Sequence, residues 1–167
     1  MSRQSRFQLF HKLRRASRAS AKWPVSVLIA AIVLGPAAGK AIASSTSSGV
    51  FDYGPVLGYN YWNQDFLYNE GNSGSWGATE VGTQNNTNAP PGYMGADSLI
   101  YNSSGAYCLS GGWFYNPGYD SSISQLSGSG IQSSCGAGYY YTQGQTEAYN
   151  GDGYSAWYAY DTPDLYI

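Results

Sequence analysis

Beyond residue 40 the chain has no lysine, arginine or histidine. All 8 Lys and Arg and the single His precede that point, and all 10 Asp and Glu follow it. The absence removes several chemistries from the body of the protein at once. Without histidine, no Ser-His-Asp or Cys-His nucleophile can be assembled and no imidazole can ligate a metal. Without lysine there is no Schiff base, and without arginine no bidentate clamp for phosphate or carboxylate. Carboxylates unaccompanied by cations repel nucleic acid and anionic membrane surfaces, both of which are bound through Lys and Arg. Catalysis is thereby confined to carboxylates, as in glycoside cleavage by paired acids. Glu70, Glu80 and Glu147 are the candidates, no spacing singles out two of them, and the expectation is a protein that is not an enzyme.

Long aliphatic runs are also scarce. The one that stands out, Val25–Leu34, follows the basic stretch 1–22 and precedes Ala41-Ile42-Ala43. A basic region, a short apolar run and an A-x-A site describe a cleaved secretory signal. The run falls short of the roughly 20 residues a bilayer-spanning helix needs. Residues 1–43 are therefore expected to be a signal peptide and Ser44–Ile167 the secreted, extracellular protein, with no membrane attachment after cleavage. Arg14-Arg15 lacks the following apolar pair of a twin-arginine signal, which favours general secretion.

Cysteine is limited to Cys108 and Cys135. In an exported chain the two are expected to pair, which by the loop-entropy argument stabilises the fold by about 3–4 kcal/mol.

What the body does have is glycine, serine, asparagine and aromatics. Residues 44–49 read as a flexible start and 50–167 as a single all-β domain. Short runs rich in aromatic and β-branched residues mark strands over 56–62, 66–68, 98–102, 106–109, 112–115, 138–142, 145–149 and 154–160. Turn sequences such as Asn102-Ser-Ser-Gly and Asn116-Pro-Gly separate them. No window shows helical spacing. The pattern predicts an antiparallel β-sandwich, or a small barrel, with Gly/Ser/Asn-rich loops and one disulfide. Asn150-Gly-Asp-Gly153 between two alternating runs is a hairpin signal that puts Tyr154, Ala156 and Tyr158 on one face and Ser155 and Trp157 on the other. The stretches 71–92 and 120–134 read as long loops. No metal or cofactor is expected: Asn150 and Asp152 form at most half a calcium loop, and Asp161 with Asp164 adds only two carboxylates.

All 17 Tyr lie beyond residue 52, with four of the five Trp. With few Leu, Ile and Val available, some of these rings must form the core. One small core cannot hide them all, and the remainder carry the functional signal. Aromatic faces stack on the C–H faces of sugar rings, while amides and carboxylates bond sugar hydroxyls. An aromatic, uncharged-to-acidic surface therefore suits a neutral polysaccharide or cell-surface glycan, with Trp113, Tyr115, Trp157 and Tyr158 as the expected contacts. The alternative classes are a structural surface or matrix protein that self-associates through exposed strands, and a small secreted toxin or inhibitor.

Overall fold

The computed structural model describes residues 43–71 and 74–167; the expected signal peptide lies outside the described residues except for Ala43. The strands are β1 (Ser44–Ser47), β2 (Phe51–Val56), β3 (Tyr59–Asn69), β4 (Ser75–Thr83), β5 (Met94–Asp97), β6 (Leu99–Asn102) and β7 (Tyr107–Ser110). They continue with β8 (Phe114–Tyr115), β9 (Ser122–Leu126), β10 (Tyr139–Thr142), β11 (Gln145–Tyr149), β12 (Tyr154–Tyr158) and β13 (Leu165–Tyr166), and one short helix, α1 (Ile131–Cys135), precedes β10.

The first sheet has β3 and β4 at its centre. β9 pairs with the far side of β4, and β1 and β2 pair end to end along the free side of β3. The remaining strands form two four-stranded ladders, β13-β10-β6-β7 and β12-β11-β5-β8. Chain continuity joins them. β5 runs into β6 through Ser98 alone, and β10 runs into β11 through Gln143-Gly144. The two ladders are thus one sheet of four strands broken at a common level. All pairings are antiparallel.

The inner faces of the two sheets meet in two apolar clusters, which makes the fold an antiparallel β-sandwich. Tyr53, Tyr61, Val81 and Ile123 of the first sheet pack with Met94, Ala96 and Ala148 of the second. Beyond the break, Leu67 packs with Ile100, Tyr140, Ile131 and Ile167. At about 25 cal/mol per Å² of apolar surface, this burial is the main favourable term.

Between the clusters runs a polar seam. Asp65, fully buried, accepts hydrogen bonds from Gly144 N–H (2.5 Å) and Thr79 Oγ1 (2.7 Å). Burial pushes its carboxyl up to about 7, against the pull of those two bonds, and nearby Asp161 pushes the same way. Gly144 is required here: a Cβ on it would lie 1.8 Å from Thr79 Oγ1. The backbone can thus come close enough for Asp65 to bond the N–H freed by the sheet break.

Several expectations change. Ser44–Ser47, read as a flexible start, is an edge strand on β3. Leu57-Gly58, read as mid-strand, is the two-residue turn between Val56 and Tyr59. The stretch 71–92 holds β4, a central strand, and 120–134 holds β9 and α1. β4 reads as loop because its inward positions are small: a Cβ on Gly77 would meet Ile100 Cδ1 at 2.4 Å. The Cys108–Cys135 disulfide is present, with the Cα atoms 6.0 Å apart, and ties α1 to β7. No helix among the described residues is long and apolar enough to cross a membrane.

Candidate functional site

In β11, Thr146 and Ala148 point into the core, so Gln145, Glu147 and Tyr149 face outward. The register sets Tyr149 opposite Tyr154, Glu147 opposite Ala156 and Gln145 opposite Tyr158 on β12. On the other side, Glu147 pairs with Gly95, and Gly95 with Tyr115 of β8. The Tyr115 ring lies across Gly95, where a Cβ would stand 2.6 Å from its Cε1. From there its hydroxyl donates to Glu147 Oε2 at 2.7 Å. Burial, with the neighbouring carboxylate, holds the Tyr115 phenol well above its ordinary value. It is thus a neutral donor across the physiological range.

The rings form a connected track. Trp113 stacks on Tyr115 (6.0 Å between centroids), Tyr115 meets Tyr154 (5.0 Å), and Tyr154 meets Tyr149 (5.8 Å). Trp113 is 39% exposed, Tyr154 43% and Tyr158 57%. Further along the same sheet Tyr101 lies between Tyr107 and Tyr141, at 6.0 and 5.5 Å. Among the described residues the Gln145 amide and Glu147 Oε1 bond no other side chain or backbone group, so they present a donor and acceptors between the rings.

Three of the four expected contacts, Trp113, Tyr115 and Tyr158, thus share the outer face of the second sheet. Trp157 does not. It points inward and stacks on Tyr53 at 4.2 Å, against the first apolar cluster. Consecutive strand residues face opposite sides, so Trp157 and Tyr158 cannot serve one face. Tyr149, Tyr154, Gln145 and Glu147 join the face instead. The hairpin alternation already placed Tyr154 beside Tyr158. Glu147 and Gln145 needed the β11–β5 register, which no local pattern gives.

The first sheet carries an aromatic surface on its own outer face. Tyr68 stacks on Trp76 at 4.0 Å, and the Trp62 ring lies against Gly82. Glu80 stands between these groups, its carboxyl raised by burial. Glu80 and Glu147 are therefore on opposite outer faces of the sandwich and form no acid pair.

Compared with protein-family models, curated proteins and solved structures, the chain matches none.

Proposed function

We propose that this is an exported, non-catalytic binding protein that recognises neutral glycan on the outer face of its second sheet. One observation carries the reading. A track of half-exposed rings, Trp113–Tyr115–Tyr154–Tyr149, lies on a face whose interspersed polar groups are Glu147 and Gln145, with no cation in the chain after residue 40. Flat rings offer stacking surfaces for the C–H faces of successive sugars. The carboxylate and amide accept and donate to hydroxyls and fix orientation, the usual division between apolar and polar groups in ligand sites. A ligand carrying negative charge would meet an uncompensated carboxylate. The disulfide suits an oxidising compartment and so supports export.

The test is retention on insoluble neutral polysaccharides, comparing wild type with Trp113→Ala, Tyr154→Ala and Glu147→Gln. Each ring is expected to contribute about 0.5–1.5 kcal/mol, the scale of aromatic contacts beyond area burial, so Tyr154→Ala should weaken retention by about two- to tenfold. Equal retention by all four proteins would refute the reading. Self-assembly is the second reading, carried by exposed Tyr107, Tyr139 and Tyr166 near the sheet's other end. It predicts oligomers that grow with concentration in the absence of any saccharide.

A further inference from the structure

Three residues other than glycine have left-handed backbone among the described residues: Leu57 (φ 46°), Asn85 (φ 62°) and Asn86 (φ 54°). All three sit at one place. Leu57 is in the turn between β2 and β3, and Asn85 and Asn86 form a short 3-10 turn just after β4. The two turns face each other across a cleft of about 400 Å³, whose lining includes Leu57, Tyr59, Asn60, Gln84, Asn85 and Thr87. That volume lies within the range of small-molecule sites, about 300–1,000 Å³.

Folding alone does not account for the strain at Leu57. A two-residue hairpin turn with positive φ at both positions favours Asn-Gly or Gly-Gly, because leucine's Cβ is crowded there. A buried leucine could offset that crowding by packing, but Leu57 is 50% exposed. Backbone strain of this kind clusters at active sites, ligand clamps and switch regions. The facing turn is held shut by Thr83 Oγ1, which donates to the Thr87 carbonyl, so its side chains are presented on a fixed frame.

The lining also says what would fit. It has side-chain amides from Asn60, Gln84 and Asn85, a hydroxyl from Thr87, one aromatic ring and one aliphatic group, and no charged residue. Among the described residues the side-chain hydrogen bonds of this lining come from Thr83, and none from the three amides. Amides and hydroxyls both donate and accept, as a sugar's hydroxyls require. An ionic ligand would find no countercharge. Ring contacts link the cleft to the aromatic track: Tyr149 meets Tyr93 at 5.3 Å, and Tyr93 meets Tyr59 in the cleft wall at 6.0 Å, both rings half-buried against the edge of the first apolar cluster.

We propose that this cleft is a binding site for a neutral, polyhydroxylated group, and that it receives the end of a glycan lying along the Trp113–Tyr59 track. The first half stands on the cleft alone; the second rests on the reading under Proposed function.

The experiment is isothermal titration of the full chain, as processed by its expression host, with neutral disaccharides (cellobiose, mannobiose, maltose) and their hexasaccharides. Leu57→Asn creates the preferred Asn-Gly turn, so it should raise the denaturation midpoint while removing the apolar wall. Asn85→Gly keeps the left-handed backbone and removes the amide. Both are expected to fold and to weaken disaccharide binding about tenfold, the scale of one lost pocket contact. Trp113→Ala should weaken only the hexasaccharide. Absence of binding by any disaccharide at millimolar concentration, or unchanged binding by both cleft variants, overturns the cleft site. Loss in the cleft variants with no effect of Trp113→Ala on any hexasaccharide supports the cleft and overturns its link to the track.

Discussion

Asp65 gives the most direct energetic test of the fold. It is fully buried between the two apolar clusters, no cation exists in the chain after residue 40, and its carboxyl is pushed up to about 7. In the unfolded chain the same group titrates near its ordinary 3.8. Between those values the folded protein holds a proton that the unfolded chain has released. Unfolding therefore becomes easier as pH rises. The stabilising contribution is complete below about pH 4 and is lost as pH rises through 7. The gap between 3.8 and about 7, at about 1.4 kcal/mol per pH unit, amounts to about 4 kcal/mol. This is a large share of the roughly 5–15 kcal/mol typical of a folded domain. Glu80, raised by burial, adds to the same trend. The assay is urea denaturation of wild type and Asp65→Asn at intervals from pH 4 to pH 8.5. Asparagine keeps an oxygen for Gly144 N–H and gives Thr79 Oγ1 a donor in place of an acceptor. The variant should match wild type at pH 4 and exceed it at pH 8, with a flatter profile throughout. A wild-type midpoint that is level or rising between pH 4 and 7, or an Asn variant less stable than wild type at pH 8, would refute the argument.

Other perturbations follow from the same structure. Gly144→Ala forces a Cβ to 1.8 Å from Thr79 Oγ1 and should lower the unfolding free energy by about 1–3 kcal/mol in chemical denaturation, while Gly153→Ala, with open space around it, should cost much less. Reducing the Cys108–Cys135 bond, or replacing both residues with serine, removes a 27-residue constraint and should lower stability by about 3–4 kcal/mol in chemical denaturation. Above pH 10 a second decline is expected, because Tyr61 is raised to about 12 by burial and Tyr53 further still. The unfolded chain then releases phenolic protons first. Ultraviolet titration of tyrosine alongside the denaturation curve checks this: stability unchanged through that range would contradict it.

The sequence and the structure agree most where turn residues separate alternating strands. Gln145–Tyr149 and the hairpin to Tyr154 were legible because Asn150-Gly-Asp-Gly153 marks the turn, and alternation then sets Ser155 and Trp157 against Tyr154 and Tyr158. Strand β4 was not. Its inner face is Ser75, Gly77 and Thr79, which looks like a linker until Ile100, Thr142 and Gly144 are seen closing against it. Asp65 likewise reads as one more surface carboxylate, because its partners come from Thr79 and from Gly144, far along the chain. The candidate face divided in the same way. Exposed aromatics were visible as clusters; alternation along β12 separates Trp157 from Tyr158, and the β11–β5–β8 register then brings Tyr115, with Trp113 stacked on it, to the Tyr158 face. Glu147 joined the candidate site through the β11–β5 register, which sets it within reach of the Tyr115 hydroxyl.

The central claim is that the Trp113–Tyr115–Tyr154 face takes a neutral glycan. The most direct measurement is the tryptophan fluorescence of the non-reduced protein, titrated with a panel of soluble neutral and anionic polysaccharides while solution mass is recorded on the same samples. The account predicts a saturable shift from a monomer with at least one neutral polymer, none with the anionic ones, and loss of the shift in Trp113→Ala. No shift with any neutral polymer, accompanied by oligomers that grow with protein concentration, would contradict it.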